Sequence, residues 1–285
     1  MASSEVDQKF LGKLAKAVEP ENPLLASVLF RILGLSINLS AQLIKARRIR
    51  PQDVAQSSTA LDLACHIIWL SREGLVLLQQ YVLPMVGNYD VLKVLAYKLR
   101  ASFYHIFVLF HNSPPVTPLG LALQGQSVVG NDMSSSRGGT LGPPPGFGPA
   151  PPTAFLLKPK DYLPEAHQYF REAVRLADEL LWGSHSLRLS VKTEYAAFLY
   201  ECVHDAEASR KVAKDTITEV YEATEGIDND MFNDACELVT VLGKMMRRGL
   251  NSSSTTPRSR AQTSGSGAQG TPQDQGTEGA PPGMI

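Results

Sequence analysis

The sequence predicts an all-α protein, an antiparallel bundle or array of about eight helices. Apolar residues recur at three- and four-residue steps through most of the chain, which is typical of amphipathic helices. Hydrophobic residues make up 44% of the 285 residues, which is enough to form a sizeable core. Runs of β-branched residues, which would indicate strands, are scarce.

The clearest helical pattern runs from His185 to Gly226. It reads HSLRLSVKTEYAAFLYECVHDAEASRKVAKDTITEVYEATEG. The first apolar face breaks at Asp205 and a second one follows. Two helices joined by about three residues are expected to pack antiparallel. Ser184 is the expected N-cap of the first helix, and Gly226 is the expected C-cap of the second.

Six further helices complete the predicted fold. Pro20, Pro51 and Pro84 are expected to end helices, because proline cannot continue the backbone hydrogen-bond ladder. The acidic start at Asp228 and the basic end at Arg248 suit the dipole of the last helix. The predicted ranges are residues 6–18, 24–49, 60–83, 90–110, 161–181 and 228–248.

Two segments have the composition of disordered chain. Residues 111–160 and 250–285 are rich in proline, glycine and serine, and few side chains there could bury enough area to offset the entropy of ordering. The helices on either side of the first segment need each other to complete a core. We therefore predict one helical domain built from residues 1–110 and 161–249, with a disordered insertion and a disordered tail.

Several motifs resemble those of 14-3-3 proteins. An His-x-x-Arg-Leu sequence followed by an aromatic helix resembles the seventh helix of that family, and Leu24 to Gly34 resembles the opening of its third. Lys93 to Tyr104 looks like its fifth helix. The residues of the seventh-helix motif are His185, Arg188, Leu189, Phe198, Tyr200 and Glu201. The resemblance implies a homodimer, but only one short helix precedes Leu24 where the family has two, which leaves the dimer open.

The resemblance also implies a concave groove. In 14-3-3 proteins one Lys, two Arg and a Tyr hold the phosphate of a bound peptide through charge-assisted hydrogen bonds. Carried over position by position, the groove-lining residues are Phe30, Ile37, His105, Ile106, Glu194, Glu201, Val241 and Met245. Apolar or acidic residues stand at most of these positions, so an apolar, unphosphorylated segment is the expected ligand. Ordinary core packing of Phe30, Ile37 and Ile106 is an open alternative.

Motifs for catalysis, metals and cofactors are missing from the sequence. It contains no GxSxG, P-loop, GxGxxG or HExxH pattern, and its six histidines are scattered. The three cysteines are far apart and are expected to be small buried hydrophobes. We predict no enzyme activity, no metal and no cofactor.

Charge and hydropathy point to a cytoplasmic protein, with the nucleus as a further location. The net charge is −1, which gives no field that would favour nucleic acid. The N-terminus lacks a signal-peptide pattern. No apolar run reaches about 18 residues without interruption, so no membrane partner is predicted.

The sequence therefore favours a non-enzymatic adaptor or regulator that binds a protein or peptide partner. Two alternatives belong to the same broad class. A tetratricopeptide-like scaffold also stacks antiparallel helix pairs, although no repeat of about 34 residues is found. A phosphopeptide-binding adaptor, as in typical 14-3-3 proteins, is the other. A helical enzyme would need a cluster of perturbed titratable groups in one pocket.

Overall fold

The computed structural model describes residues 5–48, 58–87, 89–112, 156–158, 160–226 and 228–248. These residues form α-helices and no strand, which confirms the all-α prediction. A π-helical turn, Leu78–Val82, joins the helix Ser58–Leu77 to a short helix, Leu83–Met85. Another π-helical turn, Val108–Asn112, extends the helix Asp90–Phe107. The helices are α1 Glu5–Val18, α2 Pro23–Arg48, α3 Ser58–Leu77, α4 Asp90–Phe107, α5 Leu163–Leu180, α6 Ser186–Glu201, α7 Ala206–Glu222 and α8 Asn229–Arg247.

Most of the predicted insertion, and the whole predicted tail, lie outside the described residues. Disorder over 111–160 and 250–285 therefore stays a prediction. His111 and Asn112 are described, and they belong to the π-helical turn that extends α4. The helix thus continues two residues past the predicted start of the insertion.

The ends of α6 and α7 differ from the sequence-based expectation. His185, not Ser184, caps α6, because its Nδ1 accepts a hydrogen bond from the Leu187 backbone N–H at 3.1 Å. Helix α7 ends at Glu222, before Gly226, because Ala223 takes an extended conformation that stops the helix. Capping by an Asp side chain at the starts of α7 and α8 follows the usual preference.

One apolar core joins helices from both sides of residues 113–155. Phe103 of α4, Phe170 of α5 and Phe198 of α6 are all buried in it. Helix α4 packs closely along α5, so the two parts of the chain share one interior. A smaller apolar cluster holds α6, α7 and α8 together through Ala196, Ala197, Ala213, Leu242 and Met245.

Helix α6 is the centre of this arrangement, and α1 lies at its edge. Twelve of the 16 residues of α6 are buried, and it contacts α1, α4, α5, α7 and α8. Only 5 of the 14 residues of α1 are buried, along one stripe. Helix α6 is therefore buried on several sides, whereas α1 contributes one face to the core.

Helix α2 meets the length and hydropathy criteria for a membrane span. The same criteria are met by core helices of soluble proteins. One side of α2 is packed into the main core through Leu25, Leu29, Ile32 and Leu39. The expectation that no membrane is involved stays a prediction.

Candidate functional site

A fully buried lysine, Lys98, lies at the centre of a polar site in the interior. Lys98 projects from α4, and its side chain has no exposed surface. Its ammonium group donates to the carboxylate of Asp7 on α1 and lies 3.2 Å from a carboxylate oxygen of Glu194 on α6. An isolated ammonium ion would cost several kcal/mol to bury, so the two carboxylates are what keep it inside.

Hydroxyl and imidazole groups complete the surroundings of the two carboxylates. Asp7 accepts a hydrogen bond from Ser190 Oγ at 3.0 Å. Glu194 accepts one from Ser102 Oγ at 2.7 Å, and its other oxygen lies 3.5 Å from His105 Nδ1. We define the buried ion cluster as Asp7, Lys98, Ser102, His105, Ser190 and Glu194. Because α1, α4 and α6 each supply members, the cluster ties three helices together.

The charges in this cluster stabilise one another against burial. Burial alone would lower the pKa of Lys98, but the carboxylates of Asp7 and Glu194 outweigh it and raise that pKa above its ordinary value. Burial would likewise raise the pKa of Glu194. Nearby positive charge, including Lys98, outweighs it and holds the Glu194 pKa well below its ordinary value. Lys98 and Glu194 therefore both carry their charge at neutral pH.

His105 is held between two aromatic rings. Its imidazole meets Phe170 and Phe198 edge to face, with centroids 5.9 Å and 5.4 Å away. Its Nε2 is buried and has no hydrogen-bond partner among the described residues. The rings fix the imidazole so that Nδ1 points at Glu194.

A second group of charges joins α5, α6 and α7. Arg188 Nη2 lies 2.9 Å from Asp178 and 2.7 Å from Glu219, and Lys192 Nζ lies 2.7 Å and 2.6 Å from the same carboxylates. The carboxylate side chains are 39% and 33% exposed. Burial opposes ionisation of Glu219, but Lys192 and Arg188 lower its pKa. We define Asp178, Arg188, Lys192 and Glu219 as the half-exposed ion cluster.

The His-x-x-Arg part of the resemblance motif has a structural role here. Burial lowers the pKa of His185 to about 4, so its imidazole is neutral and can cap α6 as an acceptor. Arg188 donates to the carbonyl of Leu181 at 2.8 Å and thereby holds the turn before α6. In the same turn a Cβ on Gly183 would lie 2.7 Å from the Glu219 carbonyl oxygen, so only glycine fits without a backbone shift.

The eight residues predicted to line a groove divide into exposed and buried sets. Exposed apolar side chains are Phe30 and Ile37 on α2 and Val241 on α8. Buried residues are His105 and Ile106 on α4, Glu194 on α6 and Met245 on α8. Glu201, at the C-terminal end of α6, is half buried.

The structure brings His105 and Glu194 together in the buried ion cluster. Met245 packs against Ala196 and Ala197, on the turn of α6 that follows Glu194. Ile106 is part of the main core, which is the core-packing alternative left open above. Phe30 and Ile37 are not in that core. Ligand binding along these residues stays a prediction.

An apolar stripe runs along the outer face of α2. Phe30, Ile37 and Ile44 are 39%, 53% and 49% exposed, and their seven-residue spacing places them on one face of the helix. Gly34 and Ala41 lie between them and are also exposed. We define these five residues as the α2 stripe. Contiguous exposed apolar surface of this kind commonly marks an interaction site.

Four residues of the buried ion cluster were missed in the sequence analysis: Asp7, Lys98, Ser102 and Ser190. A usable signal existed on α4, because Lys98, Ser102 and His105 follow one another at steps of four and three. Polar residues at that spacing share one helix face with buried Leu95 and Leu99. Polar groups inside an apolar stripe are expected to pair with partners from another element.

The three cysteines lie at different depths. Cys65 and Cys202 are half buried and Cys236 is exposed, so the expectation of buried cysteines is wrong for Cys236. Cys202 has its pKa raised to about 12, chiefly by burial, which makes its thiol unreactive at neutral pH. Within the described ranges, no three His, Cys, Asp or Glu residues are grouped to hold a metal ion.

No protein-family model and no curated protein matches this chain. The two ion clusters and the α2 stripe are therefore the features that bear on its function.

Proposed function

We propose that this protein is a non-enzymatic adaptor or regulator with a 14-3-3-like arrangement of helices. It binds an apolar segment of a partner protein along the α2 stripe and does not recognise phosphoserine. The observation that carries the proposal is the exposure of Phe30, Ile37 and Ile44 on one face of α2. Burial of such side chains on binding provides a favourable hydrophobic contribution.

The chemistry of the predicted groove favours an uncharged ligand. Phe30 and Ile37 stand where the resemblance would place cations, and they offer apolar contact only. His105 is buried beside Glu194, whose carboxylate is ionised. An anion at the exposed positions of Phe30 and Ile37 would meet apolar side chains rather than the converging cations that a phosphate requires.

The dimensions of the stripe define the ligand further. Fourteen helical steps separate Phe30 from Ile44, which is about 21 Å along the helix axis. An amphipathic helix of about four turns covers that length, with apolar residues repeating at three- and four-residue steps. Gly34 and Ala41 leave room for the partner's larger side chains between the aromatic and aliphatic contacts.

The ionisable groups support a non-catalytic role. The pKa of Lys98 is raised and that of Glu194 is lowered well below its ordinary value, and perturbed pKa values are a common mark of an active site. Here they are shifted because they pair with each other and with Asp7 inside the core. A group engaged in this way is not available to exchange protons with a substrate.

Peptide selection on the purified full chain tests the proposal. Peptides selected from a random displayed library are titrated calorimetrically against wild type and the Phe30→Asp, Ile37→Asp double variant. We expect the double variant to bind at least about tenfold more weakly, because it places charge on the apolar surface. The matched control is Tyr221→Asp, since Tyr221 on α7 is 80% exposed and lies outside the stripe.

A phosphorylated twin of each selected peptide completes the test. We expect phosphoserine to leave the affinity unchanged or to weaken it. Phosphate-dependent tight binding, or equal binding by wild type and the double variant, would contradict the proposal. Circular dichroism shows whether each variant keeps its helices.

A further inference from the structure

Helix α1 lies across four other helices and makes polar contacts with each of them. Asp7 binds Lys98 of α4 and Ser190 of α6. Lys9 Nζ lies 2.6 Å from Asp234 Oδ1 of α8, and Gln8 Nε2 donates to a carbonyl of α2 at 3.5 Å. The surface under α1 is thus formed by α2, α4, α6 and α8, and we call it the α1-binding surface.

The apolar contacts of α1 form a single stripe. Leu11, Ala15 and Val18 are buried in the main core, and Phe10 stacks on His185 with centroids 5.5 Å apart. Lys13, on the outward side, is largely exposed. A short segment, residues 19–22, joins α1 to α2. This is the geometry of an amphipathic helix bound in a groove.

Two polar contacts in the α1-binding surface do not involve α1. Lys98 Nζ lies 3.2 Å from Glu194, and Ser102 Oγ donates to Glu194 at 2.7 Å. These contacts involve α4 and α6 only. Without α1, the surface therefore presents an ammonium group at the base of an apolar groove, where it can receive a carboxylate.

We infer that the α1-binding surface is a helix-binding site and that α1 is its displaceable intramolecular ligand. The partner it fits is an amphipathic helix that carries Asp or Glu, with apolar residues four, eight and eleven positions later. That pattern copies Asp7, Leu11, Ala15 and Val18. A basic residue two positions after the carboxylate would meet Asp234, as Lys9 does. The inference is independent of the α2 stripe, which lies on the exposed face of α2.

A competition experiment on the full chain tests whether an added peptide can replace α1 on the α1-binding surface. The probe is a fluorescent synthetic peptide of residues 5–22, and binding is followed by anisotropy. The chain is compared as wild type and as the Leu11→Ala, Val18→Ala variant, which weakens α1 in cis but keeps Asp7. We expect the variant to bind the peptide at least about tenfold more tightly, because less intramolecular α1 competes for the site.

Matched peptides test the role of the carboxylate. The Asp7→Asn peptide is expected to bind the variant chain roughly tenfold to a hundredfold more weakly, since it lacks the charged hydrogen bond to Lys98. The Ala17→Ser peptide is the control, because Ala17 is exposed. Equal binding of the Asn peptide would overturn the assignment of Lys98 as the recognition group.

Two further outcomes bear on the inference. If the variant chain loses its helical circular dichroism, or if the peptide binds neither chain, α1 is an integral part of the fold and the inference fails. Adding Phe30→Asp and Ile37→Asp to the variant chain is expected to leave peptide binding unchanged. That result separates a failure at this surface from a failure of the proposed function.

Discussion

The two ion clusters use the same chemistry at different depths. In each, a lysine lies within hydrogen-bond distance of two carboxylates. Lys98 and its partners, Asp7 and Glu194, are fully or almost fully buried. The carboxylates around Lys192 are more than 30% exposed, and they also have Arg188 as a second cation.

The depth of each cluster determines how much it contributes to the free energy of unfolding. Water screens the half-exposed pairs, so each is worth about 0–1 kcal/mol. Burial removes water from the charged groups of the buried ion cluster. The attraction between these charges roughly offsets that cost while all members are present. A wrong packing of α1, α4 or α6 would strand a charge in the core, and we expect the cluster to disfavour such packing.

Removing the buried lysine is expected to have the largest effect. Lys98→Met leaves Asp7 and Glu194 without their shared cation, and we expect a loss of about 3–5 kcal/mol of unfolding free energy. Lys192→Met is the matched control and should cost about 1 kcal/mol, because Arg188 and water remain. Urea denaturation at neutral pH measures both. Similar losses in the two variants would show that depth does not distinguish the clusters.

A neutral version of the cluster sharpens that result. The triple variant Asp7→Asn, Lys98→Met, Glu194→Gln removes all three charges at once. We expect it to be more stable than Lys98→Met alone, because no uncompensated charge is left inside. A triple variant less stable than the single one would mean that the lost pairing energy exceeds the desolvation cost.

Acid should destabilise the fold through His185, because burial keeps this imidazole neutral in the folded chain. The folded pKa of His185 is about 4, against an ordinary value of 6.5. The unfolded chain therefore binds the proton first, and stability falls as the pH drops from about 6.5 to about 4. Above that window the contribution is complete. His167, whose pKa is also lowered by burial, adds to the slope in the same direction.

His185→Asn isolates this effect, because Asn can still accept the Leu187 N–H but does not titrate. We expect the acid-induced loss at pH 4 to shrink by about 2–3 kcal/mol relative to wild type. Urea denaturation at a series of pH values checks this. Stability near pH 8 should stay close to that of wild type. An unchanged acid slope would contradict the assigned role of His185.

Salt should weaken the half-exposed ion cluster and leave the buried ion cluster unchanged. Of the effects predicted here, this change in unfolding free energy is the smallest. Glu219→Gln is expected to cost less than about 1 kcal/mol in dilute buffer and still less in about 1 M NaCl, where the screening length is about 3 Å. The loss caused by Lys98→Met should persist in salt, because no ions reach that site. Equal sensitivity of the two variants would show that water reaches both clusters.

The local sequence pattern was enough to predict the helices. Where a predicted helix end differs from the observed one, tertiary contacts explain the difference. The start of α6 shows the limit. Ser184 ranks above histidine as a cap by propensity, but His185 is buried against Phe10 and Trp182 and holds the capping position. The sequence alone does not reveal that environment. For the same reason the local pattern predicts Gly226 as the C-cap of α7, although Ala223 already leaves the helix.

The candidate site was less predictable, because its members meet only in three dimensions. Polar residues on the apolar face of α4 could have been noticed from their spacing. Their partners could not, since Asp7 lies 91 residues before Lys98. Residues predicted from the family resemblance lie partly inside and partly outside the site. Glu194 belongs to the buried ion cluster, whereas Ile37 is exposed to solvent.

The bond between Asp7 and Ser190 spans 183 residues of chain. During synthesis, α1 emerges from the ribosome long before its partners on α6 are made. The contacts of Asp7 with Ser190 and of Lys98 with Glu194 cannot form until translation has passed α6. A segment made early thus completes its contacts only after most of the chain has been produced.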